Sequence, residues 1–229
     1  MKPHLTPVLF ITLLAVLLVA RFSDNQMQLQ TGDIAFIAWK TNGRDGFALL
    51  TFKDIKPKTQ IFFTDAEWNG THFGPGENTL TWLSDKGLIL AGSVIVFEDI
   101  NYHPRVSRGS LKGEMKLNPD REAIFAYVGS GPKMPSHFLA AVANSPEGFG
   151  TLVHTGLKER NALIIYPEGT YFAEYQGPRR HLEKEHALEA ISMAGNYLFN
   201  PAKEYPKDES QKLSAVFNRR HFSFISSVK

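Results

Sequence analysis

The residues best equipped for chemistry in this chain fall in one short stretch, FFTDAEWNGTHFGPGEN, residues 62–78. Asp65, Glu67 and Glu77 supply carboxylates, His72 an imidazole and Trp68 an aromatic face, all around a Gly-containing turn. If Asp65 and Glu67 close one strand and Glu77 opens the next, a hairpin brings the three carboxylates to one end of a sheet. Hard oxygen donors on a loop suit Ca²⁺, so Asp65, Glu67 and Glu77 are a candidate metal set. With Trp68 and His72 they also make a candidate ligand-binding set. The same residues support a structural alternative. Asp65 can accept backbone N–H bonds as an Asx turn, Asn69-Gly70 is a turn dipeptide, and Trp68 and Phe73 can fold over the sheet end as a lid. Sequence alone leaves both open.

Other constellations are weaker. His181, Glu183, Glu185 and His186 sit in HLEKEH, but histidines five apart lie about 140° apart round a helix, whereas a zincin helix needs them four apart on one face. A solvated helix face is the expectation there. There is no G-x-S-x-G elbow, phosphate loop, dinucleotide glycine motif or EF-hand loop. Ser107, Ser110 and Ser130 lie in Gly-containing loops, and nothing in their spacing selects one of the eight histidines as a partner.

The elements that must position these residues read as strands. GDIAFIAW (32–39), GFALLTFK (46–53), TQIFFTD (59–65), NTLTWL (78–83) and SVIVFE (93–98) have strand length and are rich in Ile, Val, Phe, Trp and Thr. Several are apolar on both alternations, which predicts strands covered on both faces. Asn42-Gly43, Asp45-Gly46 and Lys56-Pro57 supply turns between them. EAIFAYVG (122–129), NALIIY (161–166) and TYFAEY (170–175) continue the pattern. SHFLAAVAN (136–144) reads as a short helix with Ser136 as N-cap behind Pro135, and HLEKEHALEAISMAG (181–195) as a second, ending at Gly195. The expected fold is mainly β: a β-sandwich-like single domain with one or two helices in the second half. Phe36, Leu49, Phe62 and Val96 are expected in its core.

Bulk composition narrows the function classes. The 229 residues suffice for one domain with a sizeable core. Residues 7–20 form an apolar run behind Lys2, too short for a comfortable transmembrane helix and suited to the hydrophobic part of a secretory signal. The expected organisation is a signal peptide or short signal anchor over 1–21, a linker over 22–31, a β-rich domain over 32–205 and a basic-aromatic tail over 206–229. Removing 1–21 takes away Lys2 and Arg21 and no acid, leaving basic and acidic residues equal at 23 each. A neutral mature chain argues against nucleic-acid binding. Cysteine is absent, which removes disulfides, thiolate metal sites and a cysteine nucleophile.

The segment GDIAFIAWKTNGRDGFALLTFKDIKPKTQIFFTDAEWNGTHFGPGENTLTW resembles the opening of a β-rich domain of bacterial exported and surface proteins. The shared features are the Gly-Asp-Ile-Ala-Phe start, the Asp-Gly-Phe turn, Lys-Asp-Ile-x-x-x-Thr and Phe-Thr-Asp-x-x-Trp. The strand–turn pattern is also distantly similar to lamin-tail-type sandwiches. The resemblance implies location and fold and brings no established reaction, so no catalytic residue is carried over. It marks Phe63, Thr64, Asp65 and Trp68 as signature positions. The expectation is a secreted, periplasmic or cell-surface binding module for an envelope or extracellular protein or glycan. It would meet the membrane only through an uncleaved N-terminal anchor or the basic tail. The alternative is an envelope hydrolase using carboxylate and histidine, with or without a divalent metal.

Overall fold

In the computed structural model, which describes residues 29–41, 43–201 and 222–225, two sheets pack face to face as a sandwich. The first is antiparallel throughout, in the order β13-β12-β1-β2-β5-β6, with β1 Ile34–Lys40, β2 Gly46–Thr51, β5 Val94–Glu98, β6 Arg105–Val106, β12 Thr170–Tyr175 and β13 Tyr197–Pro201. The second runs β10-β11-β9-β8-β3-β4-β7, with β3 Gln60–Thr64, β4 Thr79–Leu83, β7 Ser110–Lys112, β8 Ala123–Gly131, β9 Met134–Ala143, β10 Lys158–Glu159 and β11 Ala162–Ile165. Its β10–β11 and β11–β9 pairs are parallel. One helix, α1 (Lys184–Ile191), lies in the second half and packs against β1. The apolar run 7–20 and most of the tail lie outside the described residues.

The double-sided apolar strands have a direct explanation in the layers. Between the sheets, Phe47 and Phe97 of the first stack at 4.4 Å and meet Phe63 of the second at 5.1 Å each. Trp82 adds an edge-on contact with Phe97 at 6.1 Å. Phe62 and Tyr127 are cross-strand partners whose rings point the other way, onto the outer face of the second sheet. That face is itself roofed by aromatic side chains from loops, so β3 and β8 are buried on both alternations. Phe36, Leu49, Phe62 and Val96 are all buried, as their strands predict.

The chain switches sheets between β6, on β5 of the first sheet, and β7, on β4 of the second. The turn passes so close to β4 that a Cβ at Gly109 would lie 2.3 Å from the Leu83 carbonyl oxygen, which only glycine tolerates. From β7 the segment 113–121 runs across one end of the sandwich as a strap, with its own Met115 and Leu117 side chains buried.

Two local expectations change. Residues 136–144 are not a helix: they form most of β9, paired with β8 on one side and β11 on the other. The Pro-Ser start and the alanines favour a helix locally, but a central strand between two partners needs small inward side chains, and tertiary pairing overrides propensity. The helix expected over 181–195 is shortened to Lys184–Ile191. Its expected first residues are diverted: Leu182 donates to the Ser223 carbonyl at 3.2 Å and accepts from the Ile225 N–H at 3.0 Å. Residues 222–225 of the expected tail thus pack on the domain, with Phe222 buried beside Tyr175 and under the Arg179 guanidinium.

Candidate functional site

The stretch after β3 folds back over the outer face of the second sheet. Trp68 bridges to Phe73 and to Gly150, and its Nε1–H donates to the Val153 carbonyl at 2.9 Å. The two rings meet at 5.0 Å, and Phe73 also touches Phe125, Tyr127 and Phe138 at 5.5, 5.3 and 5.8 Å. The turn between them is an Asx turn: Asn69 Oδ1 accepts the N–H groups of Thr71 and His72, both at 2.9 Å. Trp68 and Phe73 therefore form the lid that the structural alternative describes.

The five sequence candidates divide by depth. Glu67, His72 and Glu77 are exposed, Trp68 is buried in the lid, and Asp65 lies beneath at 4% exposure. His72 hydrogen-bonds Asn69 and Thr71 on the rim, not a carboxylate. Among the described residues, no group of three or more His, Asp or Glu is arranged to hold a metal ion. On the helix, His186 and Glu183 stand 3.5 Å apart with both side chains well exposed, the solvated face expected there. Among the described residues none of the three serines bonds a histidine: Ser110 opens β7, Ser107 Oγ accepts the Val96 N–H, and Ser130 Oγ faces the Met134 sulfur.

Asp65 is one of three buried carboxylates with raised pKa values at the same end of the sandwich, where Asp99 is buried as well. Burial pushes its pKa up to about 7, helped by the negative Glu77 and opposed by its own N–H, the Asn78 N–H and Lys133. Its Oδ1 has no hydrogen-bond partner. Glu122, at the start of β8, is pushed up to about 8 by burial, opposed by the Asn118 N–H and reinforced by Asp65 and Glu77. Asp45, at the start of β2, is pushed up to about 7 by burial, opposed mainly by the Leu117 N–H. Asp45 Oδ2 accepts from Leu117 and Glu122 Oε2 from Asn118, each at 2.9 Å, so these two carboxyls hold the strap down. Asn144 completes the end, accepting the Glu122 N–H at 2.7 Å through its side chain. Sequence reasoning did not single out Asp45 or Glu122. Each looked like an ordinary residue at a strand boundary, and only the strand order gathers them at one end.

A groove of about 370 Å³ opens on the outer face of the second sheet beside the lid. Gln60 and Phe62 of β3, Thr79 and Thr81 of β4, and Lys112 of β7 line it, with the β8–β9 hairpin tip at Ser130 on its far side. The register explains the grouping: Thr81 lies opposite both Phe62 and Lys112, so their side chains share a face. The side chains of Gln60, Thr81 and Lys112 make no hydrogen bond among the described residues, whereas Thr79 leans on Thr64. The groove thus offers an unspent amide, hydroxyl and ammonium around the edge of a buried ring. That chemistry suits a neutral or weakly anionic polyhydroxylated ligand. No protein-family model matches the chain, and neither a curated protein nor a solved structure resembles it.

Proposed function

We propose that this protein is an exported binding module that recognises a glycan of the cell envelope or its surroundings through the groove on the second sheet. The observation that carries the reading is the set of polar side chains without a hydrogen bond among the described residues, Gln60, Thr81 and Lys112, gathered on a sheet face around the nearly buried Phe62 ring. Rigid strands hold these groups at fixed spacing, so little ordering cost falls on the protein side when a ligand binds. The apolar run at 7–20 supports an exported location, and the neutral balance of the chain beyond it argues against a nucleic-acid ligand. The hydrolase alternative has less support, because Asp65 and Glu122 lie under the lid and strap and His72 is turned to solvent.

Sedimentation of the protein with purified peptidoglycan and with envelope polysaccharide tests the reading. We expect saturable binding to one of them. The paired substitutions Gln60→Ala and Thr81→Val should weaken it about tenfold, at roughly 0.5–1.5 kcal/mol per lost hydrogen bond. The melting temperature should stay within a few degrees, since neither side chain bonds within the fold. Absence of binding to either polymer, or equal binding by the double variant, would sink the proposal.

A further inference from the structure

The end of the sandwich opposite the strap is made by two interlocked loops, 52–59 and 84–93. Ile55 and Ile89 exchange backbone hydrogen bonds at 2.8 and 3.0 Å, and both side chains are buried. With Ile89 turned inward, its neighbours Leu88 and Leu90 are turned outward, 48% and 60% exposed. Lys56, Lys58 and Lys86 are exposed around them, and none takes part in an ion pair among the described residues. The nearby acids are already engaged: Asp54 accepts the Ala91 N–H at 2.8 Å, and Asp85 pairs with Arg108. Glu183 and Glu185 are exposed on the helix side, where with Lys184 they line a pocket against Phe52, Ala91, Phe224 and Ile225, so the three lysines lie on the side of the loops away from these two acids' helix.

Single exposed leucines need no explanation. Here two further observations point outward at the same end. The first is the route of the chain. Residues 31 and 32 bond to His137, Phe138 and Leu139 of β9, and from there Asp33 lies 3.5 Å from Lys53 and Ile34 pairs with Thr51, so β1 begins at this end of the sandwich. The second is Ile225, 52% exposed, which follows Phe224 where that ring packs on Phe52 at 4.9 Å. Exposed apolar side chains, ammonium groups without an ion pair among the described residues, and the start of β1 thus share one end of the molecule.

We propose that this end rests on an anionic lipid surface, with Leu88 and Leu90 entering the interface and Lys56, Lys58 and Lys86 lying against the headgroups. The apolar loop residues give depth, and the lysines give selectivity for negative charge. Each lysine near such a surface is worth about a fivefold gain in binding, so three account for roughly 100-fold. The contact is independent of the groove.

The chain has no cysteine, so a single substitution gives a unique site for an environment-sensitive fluorophore. Gly87→Cys places it beside Leu88, where an added Cβ meets nothing within 4 Å. Tyr102→Cys, at an exposed position near the strap end, is the control. The full chain is bound to vesicles of phosphatidylcholine with roughly 30% phosphatidylglycerol, and to phosphatidylcholine alone. On the anionic vesicles, we expect the probe at 87 to shift blue and to be quenched by lipid-borne nitroxide several-fold more than the probe at 102. That difference should vanish on phosphatidylcholine alone and in the triple variant Lys56→Glu/Lys58→Glu/Lys86→Glu. It should shrink in about 0.5 M salt as the charges are screened. A probe at 87 as wet as the probe at 102 on anionic vesicles overturns the proposal. So does equal quenching in the triple variant, which would assign the contact to the apolar run alone.

Discussion

Raising the pH from about 5 to about 8 should weaken this fold by several kcal/mol, the reverse of ordinary acid denaturation. The cause is the set of three carboxyls at the strap end, whose pKa values stand at about 7 for Asp45, about 7 for Asp65 and about 8 for Glu122. In the unfolded chain the same groups titrate near 4. Between these limits the native state binds more protons than the unfolded state, so the slope of unfolding free energy against pH is negative. The stability is fully present below the unfolded values and is lost as pH rises through the folded ones. Taken alone, one group shifted by about three units is worth roughly 4 kcal/mol. Even if the three together deliver only that much, it is a large share of a domain stability of about 5–15 kcal/mol.

Urea titrations at a series of pH values measure this directly. The expected record is a midpoint that falls steadily as pH rises, with ordinary surface carboxylates contributing little because they are already ionised over that range. Asp65→Asn should flatten the curve, since a neutral amide keeps the shape without the buried charge. It should also raise stability near pH 8 relative to the parent. Glu122→Gln should act in the same direction, less cleanly, because its carboxyl also accepts the Asn118 N–H. A midpoint that is level or rises over this range would show that these carboxyls are ionised in the native state at little cost.

The strap gives this titration a structural meaning. Asp45 and Glu122 hold it through single backbone N–H bonds, while Met115 and Leu117 seal the core beneath it. Ionising Asp45 and Glu122 places negative charges under a segment held by few other bonds, and Asp65 adds a third charge near Glu122. The first part to loosen on raising the pH is therefore the strap, ahead of the sheets. Amide hydrogen exchange at Leu117 and Asn118 should accelerate with pH beyond the intrinsic base-catalysed rate.

The strands of the first half were legible because their apolar residues fill both alternations, and the layers explain why: one face meets the opposite sheet and the other meets aromatic loops. Residues 136–144 were misread because their local signals, a Pro-Ser entry and an alanine-rich run, are those of a helix. What decides them is pairing with β8, the other arm of a tight hairpin, on one side and on the other with β11, which follows only after the loop that carries Phe149. In the same way, Asp65 stood out because its neighbours in sequence are acidic and aromatic. Asp45 and Glu122 could be joined to it only by the fold, since the three are far apart along the chain. The groove was invisible for a related reason: Gln60, Thr81 and Lys112 come from three strands whose register the sequence does not announce.

The lid itself gives the sharpest test of what the stretch 62–78 is for. Phe73 is 5% exposed and touches four other rings, so Phe73→Ala should cost about 3–5 kcal/mol through lost contacts and the cavity left behind. His72→Ala, one residue earlier, removes an exposed ring bonded only to its turn neighbours and should change stability by less than about 1 kcal/mol. Glu67→Gln should be equally mild. Denaturant melts of the three variants at about pH 6, with the buried carboxyls still protonated, make the stability comparison, and melts with and without Ca²⁺ at about pH 8, where Asp65 is ionised, test for metal. If the stretch is chiefly a roof for the second sheet, the loss is concentrated at Phe73 and does not depend on added Ca²⁺. If Asp65, Glu67 and Glu77 together bind Ca²⁺, the parent should instead gain roughly 2.7 kcal/mol at a hundredfold excess of metal over its dissociation constant, and Glu67→Gln should abolish that gain. The depths of these side chains favour the first pattern: the aromatic residues of the stretch are spent inside the fold, and Asp65 is buried beneath them while Glu67 and Glu77 are exposed.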